Sequence, residues 1–266
     1  MSAKKFAVLG HPIKHSLSPK IFECFKSATS VEAFTYEILD ISQEEFNFSQ
    51  FENYDGLNVT SPYKAQVLEY VDKISYEAQV LGAANVLKKN SENKFDAYNT
   101  DVYGFKNSFA RSFNFGASRN QKILVLGSGG AAKSVFMALT QLGFENLCFK
   151  ARSPTAFANF KIPVMEFDSS QIKPDIVINA TTIGMGAAPA YKDFFKIDYS
   201  NVSLAYDLIY SPKETPFMKF AQDQGVSNTK NGEEMLILQA YETFRIWFPE
   251  VQFSVEDALQ AVKGLI

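Results

Sequence analysis

Apolar positions along the chain follow two periods that alternate. Residues 5–10 (KFAVLG) form a short apolar run ended by glycine, the pattern of a buried strand. Residues 18–28 (SPKIFECFKSA) instead put Ile21, Phe22 and Phe25 at helical spacing on one face. Residues 33–40 (AFTYEILD), rich in β-formers, and 54–60 (YDGLNVT) predict two further strands. Residues 62–72 (PYKAQVLEYVD) and 75–83 (SYEAQVLGA) predict helices, the second stopped by a glycine. Two short strands around the polar turn NSEN make 84–101 a hairpin. This first block reads as a sheet with helices packed on it.

A second block starts near residue 104. Residues 121–153 read strand, glycine loop, helix, strand; 174–185 (PDIVINATTIGM) and 203–212 (SLAYDLIYSP) add two buried strands, and 215–225 a helix. Strands alternating with helices imply a parallel sheet. The tail changes character: 231–248 and 254–266 predict two helices, the second capped by Ser254 with Asp257 in its first turn. The chain of 266 residues is long for one core and reads as an α/β protein of two domains. One covers 1–103 and is completed by the helices of 231–266; the other covers 104–230. No repeat or low-complexity tract interrupts them.

Composition changes this picture little, mainly by exclusion. A formal net charge of -3 gives no reason to expect nucleic acid or an anionic membrane as partner. No stretch approaches the length of a membrane span. The opening residues have a basic start but only a short apolar run before His11 and Pro12, and read as a strand, not a signal peptide. Cys24 and Cys148 lie in apolar segments and resemble buried small residues more than a disulfide pair. With His11 and His15 as the only histidines, no Cys/His zinc constellation can be assembled, and no metal is expected. A soluble, cytoplasmic protein of two domains is expected.

Two stretches carry chemistry. In GLNVTSPYK (56–64), Thr60, Ser61 and Pro62 read as a helix start, which puts Lys64 in a first turn where the helix dipole disfavours a cation. That position is poor for stability. It suits proton transfer, because a destabilised ammonium has its pKa pushed toward neutrality; the alternative is a solvent-facing lysine. VLGSGGAAK (125–133) fits G-x-G-x-x-A through Gly127, Gly129 and Ala132, between a strand and an amphipathic helix. In that context the glycines admit a pyrophosphate to a helix N-terminus; the alternative is an ordinary tight turn. NAD-binding domains usually carry an acid about 20 residues on, at the next strand end. Here that strand ends in Lys150, Ala151, Arg152 and Ser153, with no acid. A basic end suits a 2′-phosphate, with Arg152 as its bidentate partner, or is a solvated turn.

Taken with the glycine loop, the ordered motifs resemble the shikimate dehydrogenases over almost the whole chain. VLGHPIKHSLSP (8–19) looks like that family's opening strand and HSxSP loop, and GLNVTSPYK like its N-V-T-x-P-x-K signature. LGAANV (81–86), NTD (99–101), GSGGAA, NATTIG (179–184), DLIY (207–210) and GEEMLILQA (232–240) complete the series in the family's order. The resemblance implies an N-terminal α/β substrate domain and a Rossmann-like, doubly wound NADP domain. It implies NADP-dependent reduction of 3-dehydroshikimate to shikimate, on the route to chorismate and the aromatic amino acids. Lys64 and Asp101 would be the catalytic pair. Ser16, Ser18, Thr60, Asn85, Asp101, Tyr210 and Gln239 would line the substrate site. Gly127, Ser128, Gly129, Gly130, Ala131, Arg152, Thr181, Leu208 and Gly232 would contact NADP.

The chain departs from the family pattern at several places. Ala151 stands where Asn often precedes the cofactor arginine, and Ala156 where a second arginine is common. Phosphate recognition is then weaker, or helped by Lys150. Val86, Phe22 and Val102 also depart, away from the presumed chemistry. Ser16 and Ser18 suit a carboxylate, or form a plain helix cap. His11 and His15 are expected to be peripheral, His15 bonding within its loop. Asp207 and Tyr210 end a strand and are expected to face the cleft. Gln239 interrupts an apolar helix face and needs a polar partner. Two other functions stay open: a quinate/shikimate dehydrogenase using NAD, and a non-catalytic dinucleotide-binding regulator. A monomer and a homodimer both fit the sequence.

Overall fold

The computed structural model describes residues 3–31, 33–113, 119–152, 164–166, 172–185 and 197–265. The chain divides into two units: one runs through Gly104 and resumes over Ile237–Leu265, and the other is Phe105–Leu236. The first begins with β1 (Lys4–Gly10), α1 (Ser18–Ala28), β2 (Phe34–Asp40), β3 (Gly56–Val59), β4 (Lys73–Ile74), α2 (Tyr76–Leu81), β5 (Val86–Lys89), β6 (Phe95–Tyr98) and the start of α3 (Asp101–Ser112). Its sheet has the order β2-β1-β3-β5-β6-β4. β1 lies parallel between β2 and β3, and β5 runs antiparallel to both β3 and β6. The last five residues of β1 are all buried, as expected of a strand covered on both faces.

The second unit holds β7 (Ile123–Leu126), α4 (Gly130–Gln141), β8 (Leu147–Ala151), β9 (Val164–Glu166), β10 (Ile176–Asn179), β11 (Leu204–Asp207), α5 (Pro216–Asp223) and β12 (Thr229–Lys230). All its strand pairs are parallel, in the order β12-β11-β10-β7-β8-β9. Counted from β7, this is 3-2-1-4-5-6 read from the other edge, the Rossmann order. The order reverses between β7 and β10, and ligands of such sheets bind outside the carboxyl ends of the strands at that point.

The chain then enters α6 (Glu233–Trp247) and α7 (Val255–Ala261). Ser254 and Asp257 form the expected reciprocal capping box on α7. No helix among the described residues is long and apolar enough to cross a membrane. Both cysteines are free thiols, Cys148 buried and Cys24 half-buried.

The sequence reading needs three corrections. Residues 62–72 do not form one helix: turns occupy 61–65 and only a 3-10 helix follows, over Gln66–Tyr70. The cause is tertiary, since the Lys64 carbonyl accepts the Ala84 N–H at 2.7 Å instead of a helical partner. Second, α3 is a helix additional to those expected, with Val102, Phe105 and Phe109 buried at helical spacing. Third, the unit boundaries fall elsewhere: Gly104 groups with the first unit, and residues 231–236 with the second. The Gly232 N–H donates to the Ile209 carbonyl at 3.0 Å, and Glu234 pairs with Lys230 and with Arg111.

Within the first unit, Trp247 binds the tail to the sheet. Its ring stacks on Phe6 with centroids 4.3 Å apart, and its Nε1–H donates to the Leu87 carbonyl at 3.0 Å. Gly56 makes room for it, because a Cβ there would lie 2.4 Å from Trp247 Nε1. Gly56→Ala should therefore destabilise the protein by about 1–3 kcal/mol through overpacking. Urea unfolding followed by circular dichroism measures this; an unchanged midpoint would show that Trp247 gives way freely.

Candidate active site

A polar cluster gathers around Asn85, in the turn before β5. The Val59 N–H donates to the Asn85 carbonyl at 2.8 Å, and the Lys64 carbonyl holds Ala84, so residues 59–64 are strapped to this turn. Asn85 Oδ1 accepts the Thr100 N–H at 2.7 Å. Its Nδ2 donates to Asp101 Oδ1 at 2.9 Å and to Thr100 Oγ1 at 3.0 Å, and lies 3.5 Å from Gln239 Oε1. Asp101, the first residue of α3, turns its other oxygen to Lys64, with Nζ–Oδ2 at 2.6 Å. The side chains of this pair are 28% and 14% exposed, so the ion pair is reachable from solvent but shielded.

Buried groups that the sequence reading missed support this cluster. The Asn99 side chain takes the Asp101 N–H at 3.1 Å and donates to the Ala83 carbonyl at 2.9 Å. The buried Thr243 hydroxyl donates to the Gln239 carbonyl at 2.9 Å and lies 3.3 Å from Thr100 Oγ1. Tyr36 donates to Asn58 Oδ1 at 2.7 Å. Asn58 was legible as a polar residue at an inward position of a buried strand; the others show no pattern along the chain.

The helix-dipole account of Lys64 fails here, because the residue sits in a turn and not in the first turn of an α-helix. What distinguishes Lys64 is its carboxylate partner. Ser16 and Ser18 are half-buried at the start of α1, where Leu17 is the N-cap residue and Ser16 Oγ accepts the Ser18 N–H at 3.3 Å. The Thr60 methyl packs on Gly10, where a Cβ would come within 2.4 Å of it. His15 is exposed, and His11 Nδ1 bonds Asp40 Oδ1 at 2.7 Å, joining the ends of β1 and β2.

In the second unit a cleft of about 320 Å³ opens at the reversal point of the sheet. Gly127, Ser128 and Gly129 line it after β7, Arg152 at the end of β8, and residues 180–183 after β10. Gly127 has φ +113°, and a Cβ would meet the Ala180 carbonyl at 2.9 Å, so only glycine fits. Gly129 caps α4 with no side chain over its first turn. Arg152 is exposed, while Lys150 is fully buried. Gly130 and Ala131 open α4 and, with Leu208 and Gly232, lie outside the lining. Leu208 and Gly232 touch each other: a Cβ on Gly232 would fall 2.0 Å from the Leu208 oxygen. Ala156 and Ser153 lie outside the described residues. Tyr210 is half-buried, and burial pushes its hydroxyl above the ordinary tyrosine pKa.

Asp207 does not face a cleft; it is fully buried at the end of β11. Its Oδ1 accepts Asn179 Nδ2 at 2.9 Å and the Ile209 N–H at 3.1 Å, while Oδ2 lacks a hydrogen-bond partner. Burial raises its pKa to about 6, against the opposing pull of Thr215, Ile209 and Asn179. Thr215 is close enough to act on the charge without completing a bond to Oδ2. Among the described residues no cluster of His, Cys, Asp and Glu could hold a metal ion.

A shikimate dehydrogenase (NADP(+)) of Pelagibacter ubique is 36% identical over 263 residues, spanning 93% of this chain and 96% of the relative. The chain belongs to the shikimate dehydrogenase family. A second shikimate dehydrogenase (NADP(+)), from Caldicellulosiruptor saccharolyticus, is 34% identical over 98% of both chains. The family model for the shikimate dehydrogenase substrate binding domain matches residues 8–87, which contain Ser16, Ser18, Thr60, Lys64 and Asn85. Among solved structures, shikimate 5-dehydrogenase of Thermus thermophilus, in complex with NADP(H) and shikimate, aligns with a TM-score of 0.81. It is 28% identical and covers 99% of this chain and 100% of that one. Shikimate dehydrogenase from Aquifex aeolicus aligns with a TM-score of 0.82 at 27% identity, over 98% of each chain.

The Asp207 carboxyl makes stability depend on pH. Its folded pKa of about 6 lies above the ordinary 3.8, so the folded state holds the proton more tightly. The contribution is full below pH 3.8 and is lost as pH rises to about 6, a span of order 3 kcal/mol. Asp207→Asn keeps the acceptor and cannot ionise. Melting temperatures should match at pH 4 and separate by pH 7.5, with the variant higher; parallel curves would contradict the burial argument.

Proposed function

We propose that this family member catalyses the reversible NADPH-dependent reduction of 3-dehydroshikimate to shikimate, a step toward chorismate and the aromatic amino acids. The observation that carries the reading is the Lys64–Asp101 pair at 2.6 Å, fixed by Asn85. Lys64 donates a proton to the ketone oxygen as negative charge develops on it, and recovers that proton from water. Asp101 orients the ammonium and accepts a bond from a ring hydroxyl. Asn85, Thr60, Tyr210 and Gln239 offer further polar groups for the hydroxyls. Ser16 and Ser18, at the N-terminus of the 11-residue α1, suit the substrate carboxylate.

The residues of the glycine cleft fit a dinucleotide. Gly127 allows close backbone approach, the open first turn of α4 offers N–H groups to a pyrophosphate, and Arg152 follows β8, a strand whose own end carries no acid. Bound NADPH supplies the hydride. Arg152 reads the 2′-phosphate and Thr181 walls the cleft, while Gly130, Ala131, Leu208 and Gly232 shape the elements around it.

A quinate/shikimate dehydrogenase using NAD would place an acid at the end of β8, where Arg152 stands. A non-catalytic regulator would have no need of the Lys64–Asp101 pair. The low net charge of -3 gives no attraction to nucleic acid or an anionic membrane; a cytoplasmic enzyme acting on a small molecule, as a monomer or homodimer, completes the reading. Absorbance of the reduced cofactor, followed with shikimate or quinate crossed with NADP or NAD, tests the reading. No turnover with shikimate and NADP would overturn it.

Lys64→Met keeps the bulk of the side chain and removes the proton. Turnover should fall about a hundredfold or more, the usual contribution of a positioned acid–base group. Circular dichroism should show the protein still folded; wild-type turnover would exclude the role.

Arg152→Ala removes a charge-assisted phosphate contact worth on the order of 1.5–3 kcal/mol. NADP affinity should drop about ten- to a hundredfold while NAD use barely changes. Equal losses with both cofactors would show that Arg152 supports the fold.

A further inference from the structure

We propose that Asp207, which lines no cleft, is a positioning residue that sets cofactor affinity by fixing the Asn179 amide and through it Thr181; this rests on the reading of the glycine cleft as the NADP site.

The Asn179 side chain is fully engaged. Nδ2 donates to Asp207 Oδ1 at 2.9 Å and to the Ile183 carbonyl at 3.3 Å. Oδ1 accepts the Thr181 N–H at 3.1 Å and the Thr181 hydroxyl at 2.7 Å. Thr181 Oγ1 in turn accepts the Ile183 N–H at 3.1 Å. The turn at 181–183, one wall of the cleft, is thus built on a single amide orientation.

That orientation needs an acceptor behind it. Reversing the amide would face Asn179 Nδ2 with the Thr181 N–H, donor against donor, and its oxygen with Asp207. Asp207 Oδ1 also accepts the Ile209 N–H, so it is an acceptor whether or not the other oxygen carries a proton. The Ile183 carbonyl, at 3.3 Å, is the weaker of the two acceptors.

Thr181 passes the constraint to the glycine loop. A Cβ added to Gly127 would lie 3.2 Å from Thr181 Cγ2, so the threonine methyl sits against that glycine while its hydroxyl points to Asn179. Freeing the amide frees this rotamer, and the cleft wall moves where the backbone must approach a pyrophosphate. A fully buried carboxyl with an unbonded oxygen is costly for a fold. Its use as a fixed acceptor gives that cost a purpose.

The test titrates NADPH into the protein and follows the fluorescence of the dinucleotide, alongside the melting temperature of the ligand-free protein. Asp207→Ala should raise the NADPH dissociation constant about three- to tenfold, the scale of one net hydrogen bond. Asp207→Leu fills the space, guards against a collapsed cavity, and should do the same. Asp207→Asn keeps the acceptor and should bind like wild type. Thr181→Val should weaken binding similarly, and adding Asp207→Ala to it should cost little more. Shikimate affinity, measured by calorimetry without NADPH, should not move in any variant. Additive losses, loss in Asp207→Asn equal to that in Asp207→Ala, or unchanged binding in folded Asp207→Ala and Asp207→Leu would each overturn the positioning role alone. Failure of the wild type to bind NADPH would overturn the reading of the cleft.

Discussion

The first unit depends on one amide. Asn85 reaches Thr100, Asp101 and Gln239, of which the last lies far along the chain from the other two. A buried amide must satisfy both ends, and here each partner has a role of its own in the fold. Thr100 precedes α3, Asp101 begins it, and Gln239 brings in α6. The position of the Lys64 ammonium is therefore inherited from the packing of the sheet and two helices, rather than from a flexible loop. An ammonium held this way keeps its geometry without a ligand, and in the proton-donor role proposed for Lys64 such preorganisation helps catalysis.

The second unit solves a similar problem with different means. Its cleft is lined by the glycine loop, by the exposed Arg152 and by residues 180–183. What must be held is the shape of two loops, and the polar side chains that hold them are buried behind. Asn179 and Asp207 are the ends of neighbouring strands, β10 and β11, in register with each other. Parallel pairing puts the two carboxyl ends side by side, so an acid on one strand can steady the turn leaving the other.

Period and punctuation made most of this architecture legible. Buried parallel strands are continuous apolar runs, and the glycine loop sits between a strand and a helix where its meaning is clear. α3 was missed because its apolar positions, Val102, Phe105 and Phe109, are interrupted by Gly104 and follow directly on a hairpin. The Thr60-Ser61-Pro62 stretch misled for a tertiary reason: the carbonyl that would continue a helix from Lys64 is taken by Ala84, a pairing far along the chain. Asp101 and Lys64 could be named from a resemblance, but nothing in their spacing places them 2.6 Å apart. Asp207 stands in a stretch that looks like a cleft edge, and only the closed network behind it reveals a buried support.

Trp247 is the one tryptophan of the chain, and it belongs to the first unit, stacked on Phe6 and out of solvent. The second unit has none. Excitation of indole emission therefore gives a signal from one half of the molecule only, without any label. Loss of the stack exposes the ring to water and shifts its emission to the red. Set beside ellipticity, which both units contribute, that shift separates the melting of the first unit from that of the second in a single sample.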